Sequence, residues 1–157
     1  MAGERAPVVI AYDGSELSRA AIRHAAELFP ARPAVVATVW ESGLVAAPVD
    51  HAFGEAFPIE PETIEAVERT QREHALQIAD EGAELARSLN LKAEPHAMPD
   101  AVNVADTLIE LARERDAAAV VVGSHGKSEL RSLMLGSVSH KVVAHCDRPV
   151  VVIRGER

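Results

Sequence analysis

Apolar residues follow two kinds of pattern along this chain. Val8 to Tyr12, Val35 to Trp40, Ala118 to Val122 and Val150 to Ile153 are short runs that do not alternate with polar residues. A strand with one wet face alternates, so uninterrupted runs predict strands covered on both faces, as in a parallel sheet. The segments between them carry apolar residues every three or four positions, which predicts helices. One face carries Leu17, Ala20, Ala21, His24, Ala25 and Leu28, and a longer one Ile64, Val67, Gln71, Ala75, Ile78, Gly82, Leu85 and Leu89. A third carries Val104, Leu108, Leu111 and Ala112, and a short fourth Val138, Val142 and Val143. Lys92 to Met98 is a weaker, more polar strand. Its Pro95 cannot donate to a ladder, which predicts a sheet edge.

Punctuation supports these divisions. Pro30 and Pro33 close the first helix, Asn90 stops the second, Pro99 and Asp100 lead into the third, and Pro149 starts the last strand. The predicted order is β-α-β-α-β-α-β-α-β in one domain spanning residues 1–157, with no repeat and no break in composition. Right-handed crossovers and a polar third strand favour a doubly wound α/β fold with helices on both faces of a five-stranded parallel sheet, in the flavodoxin-like order 3-2-1-4-5. Glu41 to Pro61 carries five glycines and prolines without a sustained period and reads as a mobile or functional insertion.

Composition narrows the function. Hydrophobic residues make up 48% of the chain and charged residues 25%, which excludes a disordered chain. Sixteen Lys and Arg against 24 Asp and Glu give a net charge of −8, a field that repels nucleic acid and anionic membranes. An anionic ligand must therefore be captured by local donors. Cys146 is the single cysteine and forms no internal disulfide, Met1 to Pro7 lacks a signal peptide's apolar core, and no apolar run reaches the roughly 20 residues of a membrane span. A cytoplasmic location is the expectation.

The segment that carries chemistry runs from Gly123 through Gly126 to Gly136-Ser137, with two and then nine residues between the glycines. Gly123 ends a strand at the sheet edge where open α/β folds bind ligands, and Gly136-Ser137 opens a helix whose amides and positive dipole end suit phosphate. The same glycines would serve ordinary turns and caps, and local physics alone leaves the two readings even. Neither GxGxxG after the first strand nor GxxxxGK followed by Ser or Thr is present, so neither a dinucleotide fingerprint nor a P-loop is predicted. His140 and His145 are five apart, off the spacing that places two ligands on one helical face, and neither they nor the adjoining Cys146 predict a metal site.

Gly123-Ser124-His125-Gly126, Leu135-Gly136-Ser137-Val138-Ser139 and Arg148-Pro149-Val150, with the opening Val8 to Ser15, resemble the universal stress protein family, in particular its ATP-binding branch. The resemblance covers nearly the whole chain and implies a flavodoxin-like, adenine nucleotide alpha hydrolase-like fold. It implies that Asp13, with the backbone near Ala11 and Tyr12, meets ribose and adenine, that Val39 offers main-chain atoms to adenine, and that Val122 and Gly123 line the nucleoside. Gly126, Gly136, Ser137, Val138 and Ser139 would hold the phosphates of ATP, with or without Mg²⁺. Without the resemblance, Asp13 reads as a turn or capping residue. Glu129 departs from the family pattern, where glycine is frequent; pointing inward it would weaken triphosphate binding, and the preferred reading is a solvated outward loop charge. Lys127 and Arg131 read as solvated loop cations.

The function implied is that of a nucleotide-dependent regulatory or stress-response protein with an unidentified protein partner. Hydrolysis is expected to be slow or absent, because phosphoryl transfer needs charge neutralisation and a positioned nucleophile that the sequence does not supply. A slow ATPase or related nucleotide-processing enzyme, and a nucleotide-free interaction module, are the alternatives. Val150 to Ile153 forms an apolar edge strand without protecting charges or prolines, and with the resemblance this implies a homodimer through that strand.

Overall fold

The computed structural model describes residues 5–42, 60–126 and 135–155. β1 (Val8–Ala11) leads through α1 (Glu16–Leu28) to β2 (Pro33–Trp40), and α2 (Pro61–Ser88) leads to β3 (Lys92–Pro99). α3 (Val104–Glu114), β4 (Ala119–Gly123), α4 (Ser137–His145) and β5 (Val150–Ile153) follow. All pairings are parallel and the order is β3-β2-β1-β4-β5, the predicted 3-2-1-4-5.

Three of the four unbroken apolar runs are the central strands β2, β1 and β4, the fourth is edge strand β5, and the central side chains serve two cores. Val8, Ile10, Val36 and Val121 point to the face covered by α1 and α2. Val9, Val35, Val120 and Val122 point to the opposite face, under α3 and α4. Register aligns them: Ile10 lies opposite Val36 on one side and Val121 on the other. Pro95 sits in edge strand β3 as expected, and Pro33 is accommodated as the first residue of β2.

The helix faces required some correction. In α1 the buried residues are Leu17, Ser18, Ala21, Ile22 and Ala25, while His24 is exposed and Leu28 is 57% exposed. The rows 17-21-25 and 18-22 form the inward arc, and the row 20-24-28 lies on its rim. Val143 likewise turns outward while Val142 is fully buried. In α2 the centre of the contact stripe is small: Ala75, Ala79, Gly82, Ala83 and Ala86 are buried, and the larger residues of the predicted stripe flank them. Small residues let this helix lie close to the sheet. Asn90 ends it with a left-handed φ of 67°, a conformation that asparagine tolerates. Of the stretch Glu41 to Pro61, residues 43–59 lie outside the described residues.

Candidate functional site

Strand order creates the site. The chain leaves β1 toward α1 on one face of the sheet and leaves β4 toward α4 on the other, so the carboxyl ends of these neighbouring strands diverge. Such a switch point leaves a crevice. A cleft of about 360 Å³ opens there, within the range of small-molecule sites.

Ten of the eleven residues singled out from sequence line this cleft: Ala11, Tyr12, Asp13, Val39, Val122, Gly123, Gly126, Ser137, Val138 and Ser139. Gly136 is not among them. It is the N-cap of α4, and its N–H donates to the Ser124 carbonyl at 2.7 Å. Its φ of −63° and ψ of 165° are ordinary extended values, so the position requires no glycine on backbone grounds. Ser139 is also turned to structural use, with its buried hydroxyl 2.9 Å from the Ser124 carbonyl and 3.1 Å from that of Gly136. Ser124 thus fastens the first turn of α4 to the end of β4. Ser137 and Val138 of that turn line the cleft.

The turn after β1 is built by side chains. Asp13 Oδ1 accepts from the Ser15 amide at 2.9 Å, Gly14 takes a left-handed φ of 77°, and Ser15 Oγ caps α1 by accepting from the Ser18 amide. Asp13 is therefore both a turn residue and a wall of the cleft. A Cβ added at Gly126 would lie 3.2 Å from Asp13 Oδ2, so glycine lets this backbone pass beside the carboxylate. At Gly123 it would lie 3.1 Å from Leu17 Cγ and 3.3 Å from the His125 carbonyl.

Tyr12 is buried at 3% exposure. Its O–H donates to Glu81 Oε1 at 3.0 Å, and Glu81 pairs with Arg19 at 2.6 Å. Burial, and then the Glu81 carboxylate, push the phenol up to about 12. Its backbone is held as well, its N–H donating to the Ala37 carbonyl at 2.8 Å and its carbonyl accepting from Thr38 Oγ1 at 2.9 Å. At the far end of β2, Asp100 accepts from the Ser42 amide at 2.9 Å and joins the end of β2 to the end of β3.

Six lining residues had no role assigned from sequence: Ser18, Ala37, Glu41, Val104, Leu108 and His125. His125 and Glu41 adjoin residues already singled out, so proximity in sequence was an available signal. Val104 and Leu108 arrive from α3 through tertiary packing alone. Asp13 and Glu41 are the carboxylates of the described lining, which contains no Lys or Arg. Lys127, Glu129 and Arg131 lie outside the described residues. Among the described residues no three His, Cys, Asp or Glu are grouped to hold a metal, and no helix is long and apolar enough to cross a membrane.

The family model described as the universal stress protein family matches residues 4–154. Universal stress protein YxiE of Bacillus subtilis is 30% identical, covering 94% of this chain and 97% of its own. A Methanocaldococcus jannaschii protein of solved structure superposes with a TM-score of 0.77 at 17% identity, over 98% of this chain and 99% of its own. The universal stress protein of Archaeoglobus fulgidus, solved in complex with dAMP, has a TM-score of 0.62 at 20% identity over 96% and 98% of the two chains. With a family match over almost its entire length and a full-length relative at that identity, this chain belongs to the universal stress protein family.

Proposed function

We propose that this protein binds an adenine nucleotide, ATP in particular, in the cleft at the ends of β1 and β4, and acts as a nucleotide-dependent regulator. The observation that carries the reading is the convergence of the β1 turn, the β4 end and the first turn of α4 on one ligand-sized cleft. Its chemistry is divided in a way that suits a nucleotide. Asp13 and Glu41 accept hydrogen bonds and suit ribose hydroxyls or an exocyclic amine. The apolar walls of Val39, Val122, Val104 and Leu108 suit a base. The first turn of α4 suits phosphate through its amides and dipole. Gly136 serves this end as a cap, through its bond to Ser124, rather than as part of the wall. The dAMP-bound relative supports an adenine nucleotide as the ligand class.

The residues fit a triphosphate best with a divalent ion on its phosphates, because the described lining supplies carboxylates and no fixed cation. Mg²⁺ would offset the phosphate charge. Occupancy would then change the surface offered to a protein partner. The β5 edge, with Val150, Val151 and Val152 half-buried, supports pairing with a second copy.

The test is direct. Purified protein is denatured and any released nucleotide identified by mass spectrometry, and nucleotide-free protein is then titrated calorimetrically with ATP, ADP, AMP and GTP in the presence of Mg²⁺. Saturable binding of ATP, tighter than of GTP, is expected. No adenine nucleotide released and no heat on titration would refute the reading.

A further inference from the structure

Helix α2 contributes nothing to the cleft wall, yet one of its residues is shaped to the cleft's support. Gly82 lies in the interior of this helix, where glycine is about 1 kcal/mol less favourable than alanine. Its φ is not among the positive values that would require glycine. The reason for it is steric. A Cβ at this position would lie 2.7 Å from Tyr12 Cδ1, 2.9 Å from Tyr12 Cε1 and 2.8 Å from Val36 Cγ1. Carbon contacts settle at roughly 3.5–4.0 Å, so an alanine would force a movement of about 1 Å.

Little nearby is free to make that movement. The far end of the Tyr12 ring is tied to Glu81, the residue beside Gly82, and Glu81 is tied to Arg19 of α1. The Tyr12 backbone is bonded to Ala37 and to Thr38. Val36 is fully buried. Tyr12 joins two cleft residues, Ala11 and Asp13, and the Asp13 carboxylate passes within 3.2 Å of the place a Gly126 Cβ would occupy. A ring displaced outward would pull on the backbone that Tyr12 shares with Asp13.

We propose that Gly82 is a positioning residue for the nucleotide cleft: the notch it leaves in α2 seats the Tyr12 ring, and that ring sets where Asp13 stands. The proposal rests on the reading of the cleft as an adenine-nucleotide site, and its test is chosen so that the two can fail separately. Four proteins are compared, the parent, Gly82→Ala, Tyr12→Val and the double variant, a cycle that asks whether Gly82 acts through the ring. Two quantities are read: ATP affinity by calorimetry, and hydrogen-exchange protection of the Ser15 amide, which reports the bond to Asp13 Oδ1 without any ligand. The Val9 and Val121 amides, in the buried strands, correct for global stability.

In Gly82→Ala, Ser15 protection is expected to fall at least tenfold relative to Val9 and Val121, and ATP affinity about tenfold. Tyr12→Val is expected to lower both as well, because the ring is lost, and adding Gly82→Ala to it is expected to change either by less than about threefold. If the parent binds no nucleotide, the functional reading fails while Ser15 protection still decides this one. If Gly82→Ala does not fold, the double variant against Tyr12→Val decides: equal Ser15 protection supports the proposal and a further tenfold loss overturns it. Unchanged Ser15 protection in a folded Gly82→Ala, or a further tenfold loss when Gly82→Ala is added to Tyr12→Val, would overturn it. So would Ser15 protection lost together with unchanged ATP affinity in a parent shown to bind.

Discussion

Tyr12 is the only tyrosine in the chain, which makes its ionisation separately observable. Its phenol is pushed from the ordinary 10.0 up to about 12, first by burial and then by the hydrogen bond to Glu81. In the unfolded chain the group returns to about 10. Because the folded value is the raised one, the resulting stability is fully present below pH 10. Between about pH 10 and 12 the unfolded chain releases a proton that the folded chain retains, and the stability is lost. A difference of about two decades corresponds to roughly 2–3 kcal/mol. Tyr12→Phe removes this dependence. At neutral pH the substitution is expected to cost only about 0.5–1.5 kcal/mol, the worth of one hydrogen bond, because the Glu81 side chain is 55% exposed and water can replace the phenol. Two assays apply. Absorbance at 295 nm should show tyrosinate forming near pH 12 in native protein and near pH 10 in urea. Urea unfolding of both proteins from pH 8 to 12 should show the advantage of the parent over Tyr12→Phe shrinking by about 2–3 kcal/mol above pH 10. Comparing the two cancels the titration of lysines and other common groups. Native tyrosinate appearing at pH 10, or a parent-to-variant difference flat with pH, would refute this account of the Tyr12 environment.

Other outcomes follow from the same geometry. Leu111 is buried at 2% exposure away from the cleft, so Leu111→Ala should cost about 2–5 kcal/mol in chemical denaturation and leave nucleotide affinity within about twofold. Gly136→Ser, at a cap with an ordinary extended backbone, should keep the fold and ATP binding, with melting temperature and calorimetry as readouts; loss of binding would show that the glycine itself touches phosphate. Val151→Asp on the β5 edge should convert a dimer to monomer in light scattering, whereas a parent of monomer mass, or a dimer indifferent to the charge, would remove β5 as the interface.

Sequence alone determined most of what is local or periodic. Continuous runs of β-branched residues give strands buried on both faces, and Pro95 with the polar third strand identifies the edge, because a ladder needs an N–H and a central strand needs two apolar faces. The glycine spacing after β4 marks the cleft because close backbone approach needs residues without a Cβ, a constraint that leaves a trace in the sequence itself. Rotation of α1 was not legible to one residue, since Ala20, Ala21 and Ala25 are alike in composition and only packing distinguishes the row beside Ile22 from the row ending in Leu28. The duties of Gly136 and Ser139 were not legible either. A glycine or serine at a helix start satisfies a carbonyl or faces a ligand with equal ease, and the Ser124 carbonyl that takes both bonds comes from the residue just after β4. Val104 and Leu108 reach the cleft, and Gly82 meets Tyr12, across more than 60 residues in the latter case, only when the sheet order brings α3 and α2 onto opposite faces beside β1 and β2. Such contacts have no period and no motif, because they are set by the distance between surfaces that the chain brings together only on folding.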